Sequence, residues 1–102
     1  MATLPTVGRI MHYYTKYPDS EGNPSYGSAY AVIVCGVQNN GKSISGCVFT
    51  SDGMPMAMEK IPVVQPEELP DVLAAISLKH FVTWMPYQVA THAAAENLKV
   101  SN

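Results

Sequence analysis

The hydrophobic and polar positions of this chain alternate mostly with the two-residue period of strands, broken by turn residues at short intervals. From Val7 the segment "VGRIMHYYTKY" would put Ile10, His12 and Tyr14 on one side and Arg9, Met11 and Tyr13 on the other. A one-residue change of register exchanges those sides, so the pattern leaves open which of Tyr13 and Tyr14 points inward. Pro18 to Ser28, "PDSEGNPSYGS", is dense in turn formers and reads as a long loop. Ala29 to Gln38, "AYAVIVCGVQ", is the most apolar run and predicts a central strand buried on both faces.

Asn39 to Gly41, "NNG", tolerates positive φ and predicts a hairpin into a return strand from Lys42 to Thr50. In that strand Ile44, Val48 and Gly46 share one face, and Ser43, Ser45, Cys47 and Phe49 the other. A second turn at Ser51 to Pro55 leads to a fourth strand, "MAMEKIPVV", whose Pro62 requires an edge position or a bulge. Pro70 and Asp71 then open a stretch with Val72, Ala75, Ile76 and Lys79 at helical spacing, which predicts one short helix. "FVTWMPYQ", Phe81 to Gln88, supplies a fifth strand, and residues 89–102 read as a frayed tail or a short helix. The expected fold is mainly β: one domain over residues 1–102, a small five-stranded antiparallel open barrel of the Src-homology-3 kind, with one short helix before the last strand.

Charge changes the picture more than composition does. Charged residues are only 14% of the chain against roughly 25% in an average soluble protein, which suits a surface partly hidden in a homo-oligomer. Six Lys and Arg against eight Asp and Glu give a formal net charge of -2, so no basic field is available for extended nucleic acid. A small phosphate-bearing ligand, which needs only two or three cations, stays open. Cys35 and Cys47 are the two cysteines, and with no charged and apolar leader they point to a reducing cytoplasm and to no disulfide framework. No apolar run approaches the roughly 20 residues of a membrane span.

Searchable catalytic signatures are absent: there is no CxxC, HExxH, GxxxxGK or GxSxG. His12, His80 and His92 are too dispersed for a metal site, and adjacent Glu67 and Glu68 diverge and cannot share a proton. No catalytic residue, metal or cofactor is called for. Binding asks for less: aromatic faces and a few donors. Tyr14, Tyr26 and Trp84 are the candidate stacking faces, Arg9 and Lys42 the candidate phosphate contacts, and His12 a further polar contact. Each has a structural counterpart, since tyrosines fill small cores, Trp84 can close one, and a strand histidine is often just a satisfied polar group. Met54, Met56 and Met58 alternate along one strand and suggest an adaptable seam, most simply a subunit contact or ordinary core.

"VGRIMHYY" at Val7 to Tyr14, "YAVIV" at Tyr30 to Val34, the Val48–Phe49 pair and the Trp84 to Pro86 ending together resemble a family of small tailed-bacteriophage accessory proteins. The chain departs from that pattern where it carries "TWMP" in place of Trp-X-Trp-Pro, and in a longer "PEELPDVLAAISLKH" insertion. The resemblance implies a phage accessory protein and carries over no activity residue by residue. By class it suggests a sponge that sequesters a nucleotide second messenger of host antiviral defence, such as a cyclic nucleotide or an ADP-ribose derivative. The alternative is a protein-interaction or virion decoration module.

Overall fold

A computed structural model describes residues 4–86; the expected tail at 89–102 and His92 lie outside the described residues. The elements run β1 (Ile10–Thr15), β2 (Tyr17–Pro18), β3 (Pro24–Ser25), β4 (Tyr30–Gln38), β5 (Ser43–Phe49), β6 (Pro55–Pro62), α1 (Leu69–Ala75) and β7 (His80–Thr83). The fold is mainly β: a five-stranded antiparallel sheet in the order β6-β5-β4-β1-β7, with one short helix before the last strand. β2 and β3 form a separate two-stranded ribbon inside the long loop. Asp19 organises its turn, accepting the backbone N–H of Glu21 and of Asn23 on its carboxylate, both at 2.9 Å.

The Asn39–Gly41 turn forms where the glycine and asparagines require it, with Asn39, Asn40 and Gly41 all at positive φ (54°, 56° and 86°). It sets Gln38 opposite Ser43 and Val37 opposite Ile44, and a bulge between Val34 and Gly36 then shifts the ladder to pair Val32 with Val48 and Ile33 with Cys47. β6 is the edge, as Pro62 demanded. Its ladder with β5 shifts between Ile44 and Gly46, where Lys60 takes a φ of 54° in a bulge. β4 is central but is not buried on both faces: Val32 and Val34 are buried, whereas Ala31 and Cys35 are exposed and Ile33 is half-buried. The physical reason is that α1, at seven residues, is too short to reach across the sheet, and among the described residues no other element forms a second layer.

The inner face holds the main core of Met11, Tyr13, Val32, Val34, Ile44, Val48, Ile61, Val82 and Trp84. Tyr13 is therefore the inward tyrosine, and Tyr14 belongs with His12 on the opposite face. The sheet curls until the segment after β6 meets β7 in one parallel bridge, Val63 with Val82, beside a 2.9 Å bond from the Val64 N–H to the Val82 carbonyl. Among the described residues no ladder joins the two ends into a closed barrel. On the outer face a second cluster of Tyr26, Val64 and Phe81, flanked by Tyr14, Leu69, Val72, Ile76 and Leu78, seats α1 over the β1–β7 end. The helix is shorter than its spacing predicts because Ile76 turns left-handed, φ 49°, with its N–H on the Val72 carbonyl. Lys79 of the expected helical set then falls in the approach to β7.

Candidate functional site

Side chains alternate across strands, so the pairing places His12, Ala31, Phe49 and Pro55 in one row of the outer face, and Ile10, Ile33, Cys47 and Ala57 in the next. α1 and its cluster cover only the neighbouring Tyr14–Phe81 pair. Ala31, Pro55 and Ala57 are exposed, Ile10 is 46% exposed, and the remaining members of both rows are half-buried. The rows contain no Asp, Glu, Lys or Arg; charge returns at the rim, at Glu59 and Lys60 in the β6 bulge and at Arg9 beside Ile10. Four strands at about 4.8 Å spacing, each giving about five residues of 3.3 Å rise, make this open surface on the order of 300 Å². Antiparallel sheets that face water usually present polar residues there.

The six residues singled out from sequence do not converge on one cleft. Tyr26 is 5% exposed: its ring meets Phe81 edge-on at 4.9 Å, and its hydroxyl donates to the Leu78 carbonyl at 2.7 Å. Trp84, 6% exposed, is packed in the main core. Neither ring offers a free stacking face in this arrangement. Tyr14 is half-buried and stacked on Phe81 at 5.1 Å, with His12 edge-on to it at 6.4 Å. Arg9 is exposed in a shallow groove of about 510 Å³ shared with Val7, Ile10 and Met85. Lys42 lies in a different cleft, of about 580 Å³, beside Glu67 and Glu68, whose carboxylates oppose entry of a phosphate.

A third cleft, of about 480 Å³, was not anticipated from sequence. It lies where β2, the start of β4 and the end of β5 meet, and is lined by Tyr17, Ser28, Tyr30, Phe49, Thr50 and Ser51 with two alanines. The hairpin register alone, with Gln38 opposite Ser43, would set Ala31 opposite Thr50; a bulge between Val34 and Gly36 shifts it so that Ala31 meets Phe49, which no sequence pattern reports. Tyr17 comes from the loop ribbon, and no sequence pattern reports that contact.

Two titratable groups in the core deserve their geometry. The Tyr13 hydroxyl and Nδ1 of His80 share a hydrogen bond of 3.0 Å, the rings lying edge to face at 5.7 Å. Burial, and secondarily the charge of Lys79, holds the His80 imidazole below its usual pKa. Burial raises the Tyr13 phenol above 10.0, against a smaller opposing effect of a hydrogen bond with Thr15. Cys35 and Cys47 are both free thiols. Among the described residues no three His, Cys, Asp or Glu side chains gather as a metal site, and no helix is long and apolar enough to cross a membrane. No protein-family model, curated protein or solved structure matches the chain.

Proposed function

We propose that this protein is a non-enzymatic, self-associating binding protein, with a second copy of the chain covering the open outer face of the sheet. The observation that carries this reading is the absence of charge from the rows around Ala31 and Ile33. A two-fold contact sets like against like, so an uncharged face can meet itself without repulsion, and aligned sheets pack about 10 Å apart. The free edge of β6 is the weaker candidate, because Pro55, Pro62 and the Lys60 bulge interrupt a ladder there. About 300 Å² per copy is well below the roughly 800 Å² of a standard interface, which places the dimer in the weak, concentration-dependent class.

Sedimentation velocity from about 10 to about 500 micromolar tests this, those concentrations bracketing a weak association constant. The 11.0 kDa chain should move toward twice its mass, and Ile33→Lys, which sets an ammonium in the face, should stay monomeric with unchanged circular dichroism. A wild-type chain that is monomeric throughout refutes the reading.

In finer form, the fold is an open barrel of the Src-homology-3 kind, supported by the Val63–Val82 bridge between the two ends of the sheet. The biological setting we propose is that of a phage accessory protein acting in the host cytoplasm, as a sponge for a cyclic nucleotide or an ADP-ribose derivative. Exposed Arg9, in its groove beside Ile10, is the cation best placed to serve a ligand bound next to the open face. A virion or protein-interaction module would use the same face against another polypeptide. Native mass spectrometry separates the two, since only the sponge carries a small molecule.

A further inference from the structure

We propose that the cleft between Tyr17, Tyr30 and Phe49 is a binding site for an uncharged sugar ring. Three independent features of the cleft converge on that chemistry.

The first is the state of its rings. Among the described residues, Tyr13 pairs with His80, Tyr14 and Tyr26 with Phe81, and His12 with Tyr14. Trp84 is enclosed by the core. Tyr17, Tyr30 and Phe49 have no ring partner and line the same cleft; Tyr30 also packs against the main core, which leaves Tyr17 and Phe49 as the rings free to stack. Aromatic rings left without partners at a concave surface are available to stack on a ligand.

The second is the way Tyr17 is held. It is 42% exposed, an exposure at which a tyrosine ordinarily samples several rotamers. Here its backbone is paired with Ser25, and its phenol lies over Gly27, φ 63°, where a Cβ would overlap the phenol oxygen. The Gly27 N–H is in turn engaged by Ser25 Oγ at 3.2 Å. An exposed ring already fixed in position loses little freedom on binding.

The third is the polar lining. It consists of hydroxyls, with no Asp, Glu, Lys or Arg among the lining residues. Thr50 Oγ1 accepts the Met54 N–H at 3.1 Å and keeps its own hydrogen to donate, while the Ser28 and Ser51 hydroxyls have no hydrogen-bond partner among the described residues. A phosphate or carboxylate entering this cleft would lose its water with no cation to compensate. A nucleobase presents a fixed order of donors and acceptors, best met by amides or carboxylates, and the cleft has no such side chain. A sugar ring presents C–H groups on one face and hydroxyls around its rim. Those match aromatic faces and freely rotating Ser and Thr hydroxyls in turn.

The test is a titration of the ¹⁵N-labelled full chain with methyl glucoside, methyl galactoside and methyl N-acetylglucosaminide, each to about 20 mM, a range suited to millimolar affinity. At least one glycoside should give saturable amide shifts confined to residues 27–31 and 49–51. Tyr17→Ala should weaken that binding roughly 2- to 12-fold, the worth of one aromatic contact, while Tyr17→Phe retains most of it. The spectrum itself shows whether each variant is folded, and Phe49→Leu provides a second removal of a ring. Absence of saturable shifts with every glycoside, equal binding by Tyr17→Ala and Phe49→Leu, or adenosine binding as tightly as the best glycoside overturns the proposal. Repeating the titration with Ile33→Lys, a position outside the cleft lining, keeps the result independent of self-association.

Discussion

Replacing Tyr26 by Phe separates a structural tyrosine from a ligand platform. In the folded chain the Tyr26 hydroxyl donates to the Leu78 carbonyl at 2.7 Å and accepts the Leu78 N–H at 3.1 Å, tying the loop before β4 to the segment that enters β7. Phe leaves the ring against Phe81 and opens almost no cavity, so the change isolates those two bonds. Each net hydrogen bond is worth about 1 kcal/mol, with more lost where a buried partner is stranded, so the substitution should cost about 2 kcal/mol. For a chain of this size that is a substantial part of a total stability of roughly 5–15 kcal/mol. At 4–8 °C per kcal/mol it lowers the melting temperature by roughly 8–16 °C. Urea unfolding followed by fluorescence should show the midpoint falling with the slope unchanged, because the surface exposed on unfolding is the same. A variant that melts within about 2 °C of the parent would refute the reasoning, since surface changes without structural consequence fall in that range.

Phe81→Ala should be more damaging, about 3–5 kcal/mol, because Phe81 is wholly buried and joins Tyr14, Tyr26 and the helix; Leu73→Ala, on the exposed side of α1, should cost less than about 1 kcal/mol in the same urea unfolding comparison. The pH dependence follows from His80 and Tyr13. A histidine whose folded pKa is depressed contributes stability that is full above its unfolded value of 6.5 and lost as pH falls through the folded value. A phenol whose folded pKa is raised contributes stability that is full below 10.0 and lost as pH rises toward and through the folded value. Urea midpoints should therefore form a plateau between about pH 6.5 and pH 10, the unperturbed values of the two groups, and His80→Gln should shallow its acid side while leaving the alkaline side in place.

Much of the local structure was legible in the chain. "NNG" has the positive φ its residues tolerate, Pro62 sits on an edge strand beside a bulge, and Pro70 with Asp71 opens α1. In each case the cause is a backbone preference of one or two residues, so no distant contact is needed to read it. The alternation of Ile44, Gly46 and Val48 against Ser45 and Cys47 was readable for the same reason, since period two is a property of any strand.

Tertiary structure decided the rest. Tyr13 rather than Tyr14 faces the main core because β1 is gripped on both sides, by Tyr30 of β4 and Val82 of β7, partners 17 and 69 positions away. Tyr26 looked like a binding-loop aromatic and is buried through bonds to a residue 52 positions along the chain. Arg9 and Lys42 read as one cationic pair and line separate clefts, while Tyr17, Tyr30 and Phe49 come together from three strands. The sequence by itself determined where the chain turns, because turns follow local torsional preferences, whereas β1 and β7 are shorter than their patterns and the β2–β3 ribbon forms at a segment that reads as loop. Which faces are covered, and which side chains meet, depended on the pairing order of the sheet and on how little of it a seven-residue helix can shield.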